Sequence, residues 1–468
     1  MNLLSGFLDN AAVWSSRTAI VEGGGARISY GALAQRSAEL AGAWRAAGVG
    51  PGDRVLIAMP IGVDLYAGIA ALWRIGATIV FPEPALGLAG LKHAARVTQP
   101  KAILTSGLYR LLPFAASALF RIPLRLRLAG GPADASVHVA APDHPALISF
   151  TSGSTGAPKA ILRTHGFLAA QNACVADLLR TDGETRDLVA FPVFVIANLG
   201  LGVTSVLPNW KLTRPDEADA DAILALIARE GVTRALAPPS ICGRLAELDR
   251  LPLEAIFTGG GPVFPDLVER LQALAPDAKI VSVYGSTEAE PIAHQVWGET
   301  SAADRAAMRE GAGLLAGKPI AETRTRLIDG EIVVTGAHVN KSYLYGSDAA
   351  AKLRIDGEIW HRTGDAGRFD AEGRLWLLGR RDACVAGFHP LAVEAAARAW
   401  PGVRGVALAA LDGGAALAIE GDATLANDWR ARAARLGDLD VRVVARIPLD
   451  RRHRSKVDYV ALRRTLGG

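Results

Sequence analysis

FTSGSTGAPKAILRTHG, residues Phe150–Gly166, is the stretch on which the fold turns. Thr151, Ser152, Ser154 and Thr155 supply hydroxyls, Gly153 and Gly156 supply bends, and Lys159 follows, all between an apolar run and a helical pattern. Glycines let backbone wrap closely around an anion, amides and hydroxyls donate to phosphate oxygens, and a lysine adds a point charge. That combination suits a nucleoside triphosphate. It is not the Walker loop, which ends Gly-Lys-Ser/Thr, because Ala157 and Pro158 separate Gly156 from Lys159. A flexible Ser/Gly linker is the other reading of such residues, and Pro158-Lys159 beside a strand-like run speaks against it.

Working outward, residues 1 to about 375 alternate helical patterns with short apolar runs, which predicts a layered α/β fold. Leu33–Ala47 and Leu65–Ile75 read as helices. Arg54–Met59, Ala77–Phe81, Ala146–Phe150, Asp187–Phe191, Ala235–Ala237, Ala255–Thr258 and Lys279–Val283 read as strands, and Gly48–Asp53 as a turn. Glu331–Val334 and Arg374–Leu378 belong to a smaller β-rich piece. After Gly379-Arg380-Arg381-Asp382 the pattern becomes a compact α+β segment, giving domains 1–380 and 381–468 with either a hinge or a surface turn between them.

The 468 residues are half hydrophobic, enough for a large core and at least two domains. Lys+Arg number 51 against Asp+Glu 47, a balance that implies no nucleic-acid partner and fits a mildly basic enzyme with anionic substrates. Cys174, Cys242 and Cys384 are far apart and form no metal or disulfide pattern, which fits a reducing, cytoplasmic setting. The start MNLLSGFLDNAAVW lacks the basic opening of a secretory signal, and no apolar run is long enough for a transmembrane helix. Leu111–Leu128 has the composition of a membrane-surface helix, but Pro113 and Pro123 interrupt it, so a buried helix followed by a strand is expected.

Four further stretches carry chemistry. Val283-Tyr284-Gly285-Ser286-Thr287-Glu288 offers a ring to stack on a purine, hydroxyls for phosphate and a carboxylate for Mg²⁺, although the residues alone equally describe an ordinary strand-to-loop turn. Thr258-Gly259-Gly260-Gly261-Pro262 lies upstream. In His361-Arg362-Thr363-Gly364-Asp365 a carboxylate in a tight turn can accept from a ribose diol, and Gly379-Arg380 follows. Arg451-Arg452-His453-Arg454-Ser455-Lys456-Val457-Asp458 reads by itself as a basic face or nucleic-acid patch.

In this order, the five stretches resemble the motifs of the adenylate-forming superfamily, which includes acyl-CoA synthetases, peptide-synthetase adenylation domains and luciferases. The resemblance covers nearly the whole chain. It implies a large multilayered N-terminal domain with a β-rich subdomain, and a small mobile C-terminal domain turning about Arg381-Asp382. It implies ATP and Mg²⁺ as cofactors and activation of a carboxylic acid as acyl-AMP. Thr151–Gly156 and Lys159 would then hold phosphates, and Gly259, Gly260 and Gly261 would approach the nucleotide with Gly285 and Ser286. Tyr284 would lie against adenine, Thr287 on the α-phosphate, Glu288 on magnesium, and Asp365 and Arg380 on ribose or phosphate. Lys456 would be the adenylation lysine, set between two anionic reactants where charge builds on phosphorus.

The acyl pocket implied by the resemblance runs through Phe191, Phe194, Val195, Asn198 and Gly200. No carboxylate lies between Val189 and Asn209 to pair an amino-acid ammonium, so amino-acid activation is not expected. Val195 stands where many acyl- and aryl-CoA ligases have histidine, which favours an aliphatic chain. A thiol, either CoA or a carrier protein, is the acceptor that the superfamily suggests first. Pro82–Gly87, Phe191–Asn209 followed by Leu212–Pro215, and Arg452–Lys456 are similar to the olefin β-lactone synthetases, in which the substrate's own β-hydroxyl attacks the adenylate, so lactone closure stays open beside thiol transfer. Asp382–His389 is shorter than the family's post-hinge loop and lacks its lysine. A non-catalytic adenylate-binding protein is a third reading. His389 reads either as a surface residue or as an added acid/base group.

Overall fold

The computed structural model describes residues 2–151, 158–181, 183–345, 348–411, 414–449 and 457–467, in two compact units. One unit comprises Met1–Asn209, Arg229–Val232 and Ala337–Lys352; the other comprises Trp210–Ala228, Thr233–Gly336 and Leu353–Gly468.

The first unit is built on a six-stranded sheet ordered Leu124–Leu126, Ala102–Thr105, Arg54–Ala58, Thr78–Phe81, Pro145–Thr151 and Lys159–Thr164. All neighbours are parallel except the last pair, the hairpin arms on either side of the hydroxyl-rich loop. The inner strands are buried along their length, the pattern expected when helices cover both faces of a parallel sheet. The helices Tyr30–Ala46 and Val63–Ile75 cover one face and the helix Gly87–Thr98 the other, the first started by Ser29, whose side chain accepts from the Ala32 amide at 3.2 Å. Trp44, Trp73, Leu33, Leu56 and Leu72 are fully buried here, each removing on the order of 2 kcal/mol of apolar surface from water. Four more strands of this unit pair in the order Arg186–Val189, Thr204–Val206, Thr18–Val21 and Arg27–Ser29.

The second unit contains the strands Arg234–Ala237, Ala255–Gly259, Lys279–Ser286 and Ala289–Val296, of which the last two form an antiparallel hairpin. An antiparallel sheet follows, with path Leu314–Gly317, Leu375–Arg380, Glu358–Phe369, Glu331–Thr335 and Arg324–Ile328. The C-terminal part is an α+β layer: Val403–Leu411, Gly414–Gly421 and Leu439–Val444 form its sheet, covered by the helices Pro390–Arg398, Ala426–Leu436 and Tyr459–Leu466. Trp400, Trp429, Leu408, Leu417 and Ile419 make its own core.

The strands and helices expected from the sequence are all present, with ends shifted by a few residues. Leu111–Leu128 is the exception. It forms only two single-turn helices, Leu112–Ala115 and Ser117–Phe120, before the strand Leu124–Leu126, and Leu111, Phe114 and Phe120 face solvent. The expected buried helix is interrupted at Ala116, whose extended backbone ends the first turn and precedes the second; Pro113 sits in the first turn of its helix, where proline is tolerated, and Pro123 lies beyond the second.

Candidate active site

The functional candidates fall into two groups, one in each unit. In the first unit, Thr151 ends one hairpin arm directly opposite Lys159, which starts the return strand. The Lys159 ammonium lies 4.8 Å from the centre of the Tyr343 ring, and Lys352 approaches the same ring at 5.0 Å. The chain around Tyr343 pairs with the hairpin: the Leu344 amide donates to Ala160 O at 2.8 Å and the Ala160 amide donates to Tyr345 O at 3.2 Å. An aromatic face steadies a cation without neutralising it, so the lysine is held while its charge stays available. Ser152, Gly153, Ser154, Thr155 and Gly156 lie outside the described residues.

The acyl-pocket candidates also belong to the first unit, on and before the helix Val193–Leu201. Phe191 and Phe194 meet edge to face at 5.9 Å. Val195 is fully buried in the main core, and Gly200 is exposed. Asn198 is fully buried, and its amide donates to Asp187 at 3.0 Å and to Ser205 at 3.1 Å. That amide therefore ties the helix to two strands.

In the second unit Tyr284, Asp365 and Arg380 come together. The Tyr284 hydroxyl donates to Asp365 Oδ2 at 2.8 Å. Loss of solvent around the phenol, and then the Asp365 charge, push it well above its ordinary value, so it stays a donor at any working pH. Asp365 and Arg380 are directly paired across neighbouring strands, with Arg380 Nη1 at 3.5 Å from Asp365 Oδ1 and donating to Thr363 O at 2.8 Å. The Asp365 amide donates to Thr363 Oγ1 at 3.0 Å. Gly364 has φ of +75°, and a Cβ there would sit 2.5 Å from Arg380 Nη2, so the guanidinium can lie over the turn only because that residue is glycine.

Beneath this turn is a residue that sequence reasoning passed over. Glu331 is 3 % exposed and accepts from the Gly364 amide at 3.0 Å, from Arg362 Nε at 2.9 Å and from Arg381 Nη1 at 2.8 Å. Burial would raise its carboxyl, but the two guanidiniums outweigh that and hold it below the usual carboxylate range. The signal available in sequence was the isolated charge opening an otherwise apolar strand, Glu331-Ile332-Val333-Val334. Tyr343 left no such mark.

Gly259 ends its strand opposite Val283, where a Cβ would meet Val283 O at 2.4 Å, and Gly260 has φ of +76°. Gly261 follows in the same turn, while Gly285 and Ser286 complete the strand after Tyr284. The Ser286 hydroxyl is buried with no hydrogen-bond partner. An orphaned hydroxyl and close-set backbone at one end of parallel strands fit a polar ligand such as a nucleotide. Thr287 and Glu288 form the turn of the hairpin and are half-exposed. Lys456 lies outside the described residues.

From Arg381 to His389 the chain is folded tightly. One 3₁₀ turn spans Arg381–Ala383, and then Val385 and Phe388 exchange backbone hydrogen bonds around Ala386 and Gly387, both at positive φ. Cys384 Sγ lies 3.1 Å from His389 Nδ1, so His389 is engaged within this turn.

Parallel α/β layers, backbone closed around strand ends and a tyrosine–aspartate–arginine cluster define a nucleotide-using enzyme with a separate α+β C-terminal layer. The chain belongs to the family of AMP-binding enzymes, whose model matches residues 7–344. It is 32% identical over 401 residues to an olefin β-lactone synthetase of Xanthomonas campestris, covering 76% of this chain and 72% of that protein. It is also 32% identical over 422 residues to a feruloyl-CoA synthase of Amycolatopsis, covering 84% and 82%. ATP-bound MatB from Rhodopseudomonas palustris has the same fold, with a TM-score of 0.81, 22% identity and 99% of each chain covered. The protein is an ATP-dependent acid-activating enzyme with a large N-terminal and a smaller C-terminal domain, as the sequence led one to expect.

Proposed function

We propose that this enzyme activates a 3-hydroxy aliphatic acid and closes its acyl adenylate to a β-lactone without a thiol. The observation that carries the second step is the turn from Arg381 to His389. It contains no lysine, and its Val385–Phe388 hydrogen bonds leave no extended loop to guide an outside acceptor. The sequence puts thiol transfer first with lactone closure beside it, and the tight turn is what supports the lactone reading here. An acceptor already inside the substrate needs only orientation, for which proximity is a large share of the rate.

In the first step a carboxylate oxygen attacks the α-phosphorus and pyrophosphate leaves. In the second, the β-hydroxyl oxygen attacks the acyl carbon, the bond to AMP breaks with its electron pair, and the hydroxyl proton departs with AMP. Tyr284 and Arg380 fix Asp365 for the ribose diol, and Lys159 with the 151–156 loop holds the outer phosphates. Lys456 offsets charge at the reacting phosphorus. Glu288, half-exposed in the hairpin turn, is the carboxylate that would hold magnesium, and the metal would neutralise phosphate charge there. Residues 1–380 would form the adenylation domain and 381–468 the mobile domain, in the cytoplasm and without a nucleic-acid partner.

Thiol transfer to CoA or a carrier protein is the second reading, favoured by the equal identity to a feruloyl-CoA synthase. The test incubates enzyme, ATP and Mg²⁺ with plain and 3-hydroxy acids, with and without CoA, and identifies products by mass. A lactone from 3-hydroxy acids without CoA is expected, and acyl-CoA from plain acids would overturn the proposal. Absence of acid-dependent pyrophosphate exchange with every acid would instead indicate a binding protein.

A further inference from the structure

The segment that failed to form a buried helix presents an apolar, basic face to solvent. Leu108 is 84% exposed, Leu111 64%, Phe114 69% and Phe120 56%. Large apolar side chains grouped this closely along a short segment are unusual on a protein surface with nothing to cover them. Arg110, Arg121, Arg125 and Arg127 are exposed among them. Between Pro84 and Ala133 the chain contains no aspartate or glutamate, and among the described residues none of these four guanidiniums makes an ion pair.

The face is organised before anything binds. The Phe114 and Phe120 rings lie 6.2 Å apart, and the Arg125 guanidinium sits 5.6 Å from one and 5.3 Å from the other while donating to Phe120 O at 3.3 Å. The 3₁₀ stretch Gly107–Leu111 and the single-turn helices Leu112–Ala115 and Ser117–Phe120 project these residues, and Pro113, Leu119 and Ile122 anchor the segment inward. Exposed apolar side chains that can enter an acyl boundary, on a segment that carries exposed arginines without ion pairs and no carboxylate of its own, match the charge and depth of an anionic bilayer surface. No helix among the described residues is long and apolar enough to cross a membrane, so any such contact lies along the surface.

We propose that the face formed by Leu108, Leu111, Phe114 and Phe120 with Arg110, Arg121, Arg125 and Arg127 docks the enzyme on membranes rich in anionic phospholipid. This attachment is independent of which acceptor ends the reaction. The experiment sediments the full-length enzyme with vesicles of phosphatidylcholine alone or of equimolar phosphatidylcholine and phosphatidylglycerol. Partition onto the anionic vesicles, reversed by salt, is expected. Each arginine at such a surface contributes about fivefold, so Arg121→Gln with Arg125→Gln should weaken partition roughly 25-fold. Phe114→Ser with Phe120→Ser should weaken it at least as much. Acid-dependent pyrophosphate exchange should be unchanged in both variants, and the arginine pair keeps the test decisive if the phenylalanine pair misfolds. Failure to bind anionic vesicles, equal binding to both vesicle types, or binding indifferent to the arginine pair would overturn the proposal. So would a dimer of the wild type that Phe114→Ser with Phe120→Ser dissolves in the absence of vesicle binding, since the face would then meet protein.

Discussion

Replacing Glu331 by Gln tests how the ribose-side turn is held. The wild-type carboxylate shares one oxygen with the Gly364 amide and the other with Arg362 and Arg381. The amide keeps an acceptor for Gly364 but turns an NH₂ group toward two guanidiniums. Breaking a buried pair costs about 3 to 5 kcal/mol, and because Arg362 and Arg381 are 37% and 39% exposed, screening reduces this to about 2 kcal/mol. An opening free energy lower by that amount raises the open population about 30-fold. Hydrogen exchange followed by mass spectrometry over Glu358–Phe369 should show protection falling by that factor, together with a higher KM for ATP. Protection within about threefold of wild type and an unchanged KM would refute the assignment. Acid should reproduce the effect in the wild type. Glu331 is held below its unfolded value, so its contribution is complete above about pH 4.3 and is lost as pH falls through the folded value.

Tyr284→Phe removes the 2.8 Å bond to Asp365 and should weaken ATP binding about fivefold, measured calorimetrically; unaltered affinity would leave that bond without a role. Lys456→Ala should lower acyl-adenylate formation by orders of magnitude with an unchanged melting temperature, and near-normal pyrophosphate release would reject Lys456 as the adenylation lysine. Asp304, lowered to about 2 chiefly by its hydrogen bonds to Arg374, should be worth about 2 kcal/mol at neutral pH. The advantage of wild type over Asp304→Asn in urea should persist at pH 5 and shrink as pH drops from about 4 toward 2; an advantage constant with pH would count against it.

The layered fold was legible because its strands are short apolar runs set between helical patterns and turn residues, a signal that each segment carries locally. Asp365 and Arg380 were legible for the same reason, since each sits in a compact motif. Glu331 and Tyr343 were not, because their importance comes from partners far away in sequence: Glu331 meets Gly364 and Arg381, and Tyr343 meets Lys159. Asn198 was legible in part. It was singled out as the polar side chain of a candidate pocket, and its NH₂ group donates to Asp187 and Ser205 inside the unit, partners that sequence alone does not reveal. Leu111–Leu128 misled because apolar composition reports burial only when the backbone can form an element long enough to be covered.

The turn at Ala386-Gly387 has a use beyond the native reaction. Both residues are exposed and at positive φ at the tip of the turn closed by the Val385–Phe388 pair, so added residues there would extend into solvent without disturbing the helix Pro390–Arg398 or the strand Leu375–Arg380. The molecule thus has a marked graft point at which a lysine- and glycine-bearing loop can be spliced in.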